Sequence, residues 1–325
     1  MDINPKNILV VQIGKLGDMV LTSPLFYELK RLFPESKLKV LASAANQEFV
    51  SQLKAVDEVI VYQKNVLKDL FLANKLKKNN FDLWIDVKDG YSRTSASLLK
   101  LAKPNLSLGY NTQEKIFDVD LKDYTKGKHA VDLSLAPVCY FGSEPVYTSP
   151  VLTDFLKETA DSPIDLLINI SAGSPSRYLN ENKWLHFLSQ IMHKYPSYKI
   201  HLVGIQRDEK LLLRIYNNFK TEHITAKYNY TLPELVNSLN RANIIVSADT
   251  SIVHLASGLN KPIIALYPKV DWNFERFKPL SDNYVAIISK SDKGIEDIES
   301  SEILEKYEEL ADTAIRSKSL SKVSA

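Results

Sequence analysis

Short runs of β-branched residues alternate with segments of helical period almost from end to end of this chain. That alternation predicts parallel α/β sheets above any other architecture. Ile8–Gln12 reads as a buried strand, and Thr22–Phe33 as a helix with Leu25, Phe26, Leu29 and Leu32–Phe33 on one face. Pro34 blocks its continuation. Strands over Lys37–Ala42, Glu58–Tyr62 and Asp82–Asp86 alternate with helices over Gln47–Leu53, Val66–Lys77 and Thr94–Leu101. Periodicity is then lost around Glu144–Pro150, a Gly/Ser/Pro/Thr stretch that reads as a linker. It restarts with strands over Leu166–Ile170, Lys199–Val203, Asn243–Ala248 and Pro262–Tyr267. The matching helices are Asn182–Tyr195, Glu209–Phe219, Thr231–Asn240 and Ile252–Leu259. A last strand follows Ser281, and an acidic stretch leads into a helix over Ser301–Arg316. Two Rossmann-like α/β halves are expected, residues 1–148 and 149–325, facing a central cleft that is the natural ligand site.

Composition narrows what such halves can do. The 325 residues are 45% hydrophobic and 25% charged, which suits two ordinary globular domains and excludes disordered or fibrous chains. Cys139 is the only cysteine, so no disulfide scaffold can form within the chain. Forty-one basic against 39 acidic residues is too balanced for a nucleic-acid-binding surface, and no nucleic-acid partner is expected. No apolar run approaches the ~18 residues of a membrane span. The N-terminal Met-Asp-Ile-Asn-Pro lacks a basic region followed by an apolar stretch, so a cytoplasmic location is expected.

Three loops that follow strands could carry chemistry, because open α/β sheets bind ligands at the carboxyl ends of their strands. Gln12-Ile13-Gly14-Lys15-Leu16-Gly17-Asp18 follows the first strand and matches neither the dinucleotide nor the P-loop glycine pattern. Asp18 at a helix start can cap orphan N–H groups, or it can take a proton from a hydroxyl as a general base. Asp249, Thr250 and Ser251 open the helix after Ile244–Val246, with His254 one turn further on. A helix N-terminus with hydroxyl donors suits a pyrophosphate, and the aspartate suits a sugar hydroxyl. The same residues also make an ordinary capped helix. Ser171-Ala172-Gly173-Ser174-Pro175-Ser176-Arg177, followed by Lys183 and Trp184, is a small-residue loop ending in a cation that a departing anion requires. A plain surface loop is the competing reading.

Metal and nucleophile chemistry find little support. The six histidines make no ligand spacing such as H-E-x-x-H. Asp118-Val119-Asp120 has the D-x-D form that holds a divalent cation in some nucleotide-sugar enzymes, but it sits among Lys115, Lys122 and Lys126. No metal site is expected. There is no G-x-S-x-G elbow, and Cys139 lies in an apolar run.

Taken in order, four segments resemble the bacterial lipopolysaccharide core heptosyltransferases, glycosyltransferase family 9. Ile8–Gln12 with Gly17-Asp18-Met19-Val20-Leu21-Thr22-Ser23-Pro24 is similar to the family's opening strand and helix start. Phe81–Asp86 is similar to its Tyr-Asp-x-x-Ile-Asp strand, and His129-Ala130-Val131-Asp132 to its His-x-Val-Asp element. Ala248-Asp249-Thr250-Ser251 through His254-Leu255-Ala256, with Lys261-Pro262-Ile263-Ile264-Ala265-Leu266-Tyr267, resembles its most diagnostic signature.

The resemblance covers nearly the whole chain and implies the GT-B fold. It implies an acceptor bound in the N-terminal half, a nucleotide-sugar in the C-terminal half, and inverting, metal-independent transfer. ADP-heptose would be the donor and a substrate, so no cofactor is implied. The family's base falls on Asp18, and Gly14, Lys15, Gly17 and Lys88 are placed on the acceptor side. On the donor side the resemblance places Asp249, Thr250 and His254, with Ser251 where the family has glycine, and the small-residue loop adds Ser171 and Ser174. The phosphate-binding lysine falls on Arg177, with Lys183 as the second candidate cation. The ribose contact falls on Asp208 or Glu209. The acceptor would be a lipopolysaccharide core or a related glycan. Residues 1–150 hold 20 basic and 17 acidic side chains, a net of +3 that permits peripheral contact with an inner-membrane face. An epimerase of GT-B-like fold and an inactive sugar-binding homologue are the alternatives.

Overall fold

The computed structural model describes residues 3–64, 72, 74–157, 162–219 and 221–323, with side chains as far as residue 313. The chain divides into two compact units, Met1–Asp154 and Phe155–Ala325.

The first unit holds six parallel strands: β1 Asn7–Gln12, β2 Lys37–Ser43, β3 Glu58–Tyr62, β4 Leu83–Asp86, β5 Leu106–Gly109 and β6 Val119–Asp120. Their order is β3-β2-β1-β4-β5-β6, the doubly wound arrangement. Among the described residues they are accompanied by helices α1 Leu16–Leu32, α2 Gln47–Val50, α3 Arg93–Ala102 and α4 Ala130–Tyr140. Ile8, Leu9, Val10 and Val11 are at most 2% exposed, which is why this strand reads as a continuous apolar run.

Helix α1 starts at Leu16, six residues before the expected Thr22, and runs through Pro24. Proline removes the N–H that the Val20 carbonyl would accept, and Ser23 Oγ donates to that carbonyl instead at 2.7 Å. Helix α4, not expected from sequence, solves the same problem at Pro137, where the Leu133 carbonyl accepts from Tyr110 Oη at 2.7 Å. The strands β5 and β6 were also missed, being four and two residues long. Gly109 in β5 is required because a Cβ there would lie 2.5 Å from the Phe117 ring. The helix expected over Val66–Lys77 lies outside the described residues apart from 72 and 74–77, which are helical.

Residues 144–150, read from sequence as a linker, are bound to α1. The buried Glu28 carboxylate accepts from the Val146 and Tyr147 amides at 2.5 and 2.7 Å. Ser23 Oγ accepts from the Val151 amide at 2.9 Å, and Asp154 accepts from Tyr27 Oη and the Lys54 amide. These bonds carry the first unit as far as Asp154.

The second unit repeats the plan. Strands β7 Ile164–Asn169, β8 Ile200–Val203, β9 Ile224–Lys227, β10 Ala242–Ala248, β11 Ile263–Tyr267 and β12 Tyr284–Ile288 form a parallel sheet. Its order, β12-β11-β10-β7-β8-β9, is again doubly wound. The helices are α5 Glu181–Lys194, α6 Glu209–Asn217, α7 Leu232–Arg241, α8 Ser251–Gly258, α9 Asp271–Phe277 and α10 Ser300–Val323. Trp184, Phe187, Leu188 and Ile191 on α5 are at most 1% exposed, packing with Leu166, Ile168 and Leu202 of the sheet. Each such side chain contributes about 1.5–3 kcal/mol by leaving water. The expected helices and strands of this half all appear within a few residues. Strand β9 and helix α9 are additions. The C-terminal helix, expected over Ser301–Arg316, runs over Ser300–Val323.

Candidate functional site

In a doubly wound sheet the ligand crevice lies at the carboxyl ends of the two strands where the winding reverses. In the first unit those are β1 and β4, neighbours with Val11 opposite Asp86. The loops leaving them carry Gln12–Asp18 and Asp86–Lys88. In the second unit they are β7 and β10, with Asn169 opposite Ser247. The loops leaving those strands carry Ser171–Arg177 and Asp249–Ser251. The topology thus brings each pair of expected loops to the switch point of its own sheet.

Asp18 lies in the first turn of α1, and its Oδ2 accepts from the Lys15 amide at 2.8 Å. Capping therefore takes place, but it uses one of about four acceptor positions on a carboxylate. The side chain is half-buried. Gly14 makes its placement possible. A Cβ there would lie 2.5 Å from Asp18 Oδ2 and 2.8 Å from Gln12 Oε1. The Gly14 carbonyl is held by Ser43 Oγ at 2.8 Å and Asn46 Nδ2 at 3.2 Å. Gln12 Nε2 donates to Thr22 Oγ1, which in turn donates to the Asp18 carbonyl, at 3.0 and 2.8 Å. Lys15 is exposed and Gly17 half-buried. Lys88 is exposed, its amide donating to Asp86 Oδ1 at 3.0 Å. Burial pushes the Asp86 carboxyl up to about 6, against the opposing bonds from Ser95 and the Lys88 amide.

The second unit brings several of its expected residues together by hydrogen bonds. Asn169, 5% exposed, donates to the Ser171 carbonyl and to Ser247 Oγ, both at 2.9 Å, and to Thr250 Oγ1 at 3.3 Å. One buried amide thus ties the two loops together. Thr250 is the N-cap of α8, accepting from the Ile252 amide at 3.3 Å. Ser251 is the first helical residue, in right-handed backbone, so its Cβ costs no strain where the family pattern has glycine. His254 is buried one turn on, its ring 6.0 Å from Phe277.

Arg177 reaches this cluster. Its Nη1 donates to the Asp249 carbonyl at 2.9 Å, and its Nη2 pairs with Asp249 Oδ2 at 3.0 Å. Asp249 is buried, while the Arg177 side chain keeps 29% of its surface exposed. Tyr267 beside the pair is held protonated, its hydroxyl pushed well above its ordinary value by burial and then by the Asp249 charge. Ser171 Oγ accepts from the Ile205 amide at 3.1 Å, linking the loop after β7 to that after β8. Ser174 Oγ lies 3.1 Å from Ser176 Oγ.

Lys183 is not brought to the cluster. Its Nζ donates to the Glu296 and Ile298 carbonyls and to Glu299 Oε1, which accounts for all three ammonium donors. Asp208 accepts from Tyr178 Oη at 2.8 Å, and Arg207 Nη2 braces the same tyrosine and the Ala172 carbonyl at 2.6 and 2.7 Å. Asp208 is thus wired to the loop after β7. Glu209 instead accepts from Gln206 Nε2 at 2.9 Å and bonds Tyr228, whose hydroxyl it pushes up.

The Asp118/Asp120 pair is spent on local structure. Asp118 Oδ2 accepts from the Ser107 amide and hydroxyl at 2.8 and 2.6 Å, and Asp120 Oδ1 from the Lys122 amide at 3.1 Å. Sequence reasoning passed over Asn169, Tyr178, Arg207 and Asn273. Asn169 left a trace, a polar residue following the apolar run Leu166-Leu167-Ile168.

Two doubly wound parallel sheets in sequence, with an anion-suited helix N-terminus at the second switch point, define the GT-B class. The family model of glycosyltransferase family 9 (heptosyltransferase) matches residues 70–308. The chain belongs to that family and is a glycosyltransferase. It is similar to lipooligosaccharide heptosyltransferase 2 of Haemophilus influenzae, 23% identical over 313 residues, covering 86% of this chain and 88% of that one. Lipopolysaccharide heptosyltransferase 3 of Escherichia coli is 20% identical over 294 residues, covering 83% and 85%. Among solved structures, the E. coli heptosyltransferase WaaC with ADP superposes with a TM-score of 0.77 at 19% identity, covering 95% of this chain and 99% of its own. The family sets transfer above the epimerase alternative. Among the described residues no helix is long and apolar enough to cross a membrane.

Proposed function

We propose that this protein is an inverting, metal-independent transferase that moves heptose from ADP-heptose onto a lipopolysaccharide core or related glycan. In this reading the work is cytoplasmic, with peripheral contact at the inner membrane face through the slightly basic first half. The nucleotide-sugar is a substrate, and no separate cofactor takes part. The observation that carries the reading is the Arg177–Asp249 pair at the second unit's switch point, beside the N-terminus of α8.

Each side chain has a chemical task. Asp18 accepts the proton of the acceptor hydroxyl as that oxygen attacks the anomeric carbon opposite the nucleotide. Asp249 accepts from a sugar hydroxyl, and Arg177, Thr250, Ser251 and the α8 N-terminus stabilise the departing diphosphate. A planar guanidinium can pair with Asp249 through one edge and offer the other to phosphate oxygens. Lys183 takes no direct part and secures residues 296–299 to α5. Asp208 or Glu209 contacts the ribose, with Gly14, Lys15, Gly17 and Lys88 beside the acceptor.

The test is transfer from ADP-heptose to a soluble core oligosaccharide, assayed for ADP release and for glycosylated product. Most of the activity is expected to persist in excess chelator. Because Asp118 is bonded to Ser107 and Asp120 caps the turn at Lys122, the double alanine variant should still bind ADP-heptose normally. Activity lost in chelator, restored by magnesium or manganese, and dead in the double variant would contradict the metal-independent mechanism.

A further inference from the structure

Asp249 is gripped from a third side that the scheme above does not use. After β11 the chain turns through Pro268–Val270 into the seven-residue helix α9. Asn273, Phe274 and Phe277 of that helix all meet the donor cluster. The Phe274 ring sits 5.3 Å from Tyr267, the Phe277 ring 6.0 Å from His254, and Tyr267 Oη donates to the Phe277 carbonyl at 2.9 Å.

Asn273 is 4% exposed. Its Nδ2 donates to Asp249 Oδ2 at 2.8 Å, the same oxygen that Arg177 Nη2 approaches at 3.0 Å. Its Oδ1 faces that Nη2 at 3.5 Å. A neutral amide offers a donor to the anion and an acceptor to the cation at once, without altering the charge of the pair. A carboxylate in its place would repel Asp249 and bind Arg177 to the protein more firmly. An apolar residue would remove the amide's contact with each partner and leave the Arg177–Asp249 pair held by its own two bonds.

We propose that Asn273 is a positioning residue for sugar transfer. It fixes the Asp249 carboxylate toward the donor sugar and leaves the Arg177 guanidinium able to share its charge with a diphosphate. The proposal rests on the donor site described above, and it assigns α9 a place in that site.

The experiment compares wild type, Asn273→Ala and Asn273→Asp by calorimetric titration with ADP and with ADP-heptose, by steady-state transfer, and by thermal unfolding. For Asn273→Ala, ADP affinity is expected within about threefold of wild type while kcat falls about tenfold, because one hydrogen bond to the Asp249 carboxylate is lost. For Asn273→Asp, ADP affinity itself should fall tenfold or more, by roughly the worth of one charge-assisted contact. A purely structural residue would not split the two variants in this way. Losses that are equal in both variants and track the unfolded fraction would overturn the proposal. So would unchanged kcat and ADP affinity in the near-isosteric Asn273→Asp, which also serves if the alanine variant fails to fold. Failure of wild type to bind either ADP or ADP-heptose would instead remove the donor-site reading, and this proposal with it.

Discussion

Asp18→Asn is expected to reduce turnover by about 10²–10⁴, the usual worth of a general base, while ADP affinity stays within a few-fold. The amide keeps the shape of the carboxylate and still offers an oxygen to the Lys15 amide, which Asp18 Oδ2 accepts from at 2.8 Å. The first turn of α1 therefore remains capped, and thermal stability should change little. What the amide cannot do is take a proton at neutral pH. This substitution separates the two roles that the geometry lets coexist. A variant retaining more than about a third of the activity would make Asp18 a cap and nothing more.

Arg177→Ala should weaken ADP and ADP-heptose binding by roughly 1.5–3 kcal/mol, about 10–150-fold, and slow transfer as well. The charge meets the diphosphate before and during its departure, so both binding and rate suffer. The variant should also unfold at a lower temperature. Asp249 would be left buried with the Asn273 amide as its remaining bond of the Arg177–Asn273 arrangement, and breaking a buried pair is costly. Lys183→Ala is the matching control. Its ammonium is engaged with residues 296–299, so its removal should loosen that segment and leave ADP affinity unchanged. Calorimetry that found the reverse pattern would transfer the phosphate role to Lys183.

These expectations draw on a site whose outline could be read from the sequence but whose internal wiring could not. The β/α alternation was legible because parallel strands buried on both faces must be apolar throughout, as Ile8–Val11 and Ile263–Tyr267 are. The loops were legible for a related reason: each followed such a strand directly, and in a doubly wound sheet that position is the crevice. The start of α1 was not legible, because Pro24 argues locally against a helix there. Only the structure shows the Ser23 hydroxyl replacing the missing amide within the helix. Helix α4 was hidden in the same way by Pro137.

Side-chain partners were the least accessible layer. Arg177 and Lys183 are both cations following one small-residue loop, and nothing in their spacing says which faces Asp249. That choice is made by residues 296–299, more than a hundred positions away, which hold Lys183. Asn273 left no periodic signal because it lies in a seven-residue helix beside the exposed Trp272. Asp208 and Glu209 are adjacent in sequence, yet they bond to different neighbours, Tyr178 and Gln206. Glycine at 14 could be recognised as a turn residue. Its further role, admitting the side chains of Asp18 and Gln12, appears only when a Cβ is built there.

The most direct measurement of the central claim is the mass of the lipopolysaccharide core made by the parent cell with and without this protein. The account predicts a core shortened at one heptose position in its absence, restored by the wild-type chain and not by Asp18→Asn. An unchanged core, or full restoration by Asp18→Asn, would contradict it.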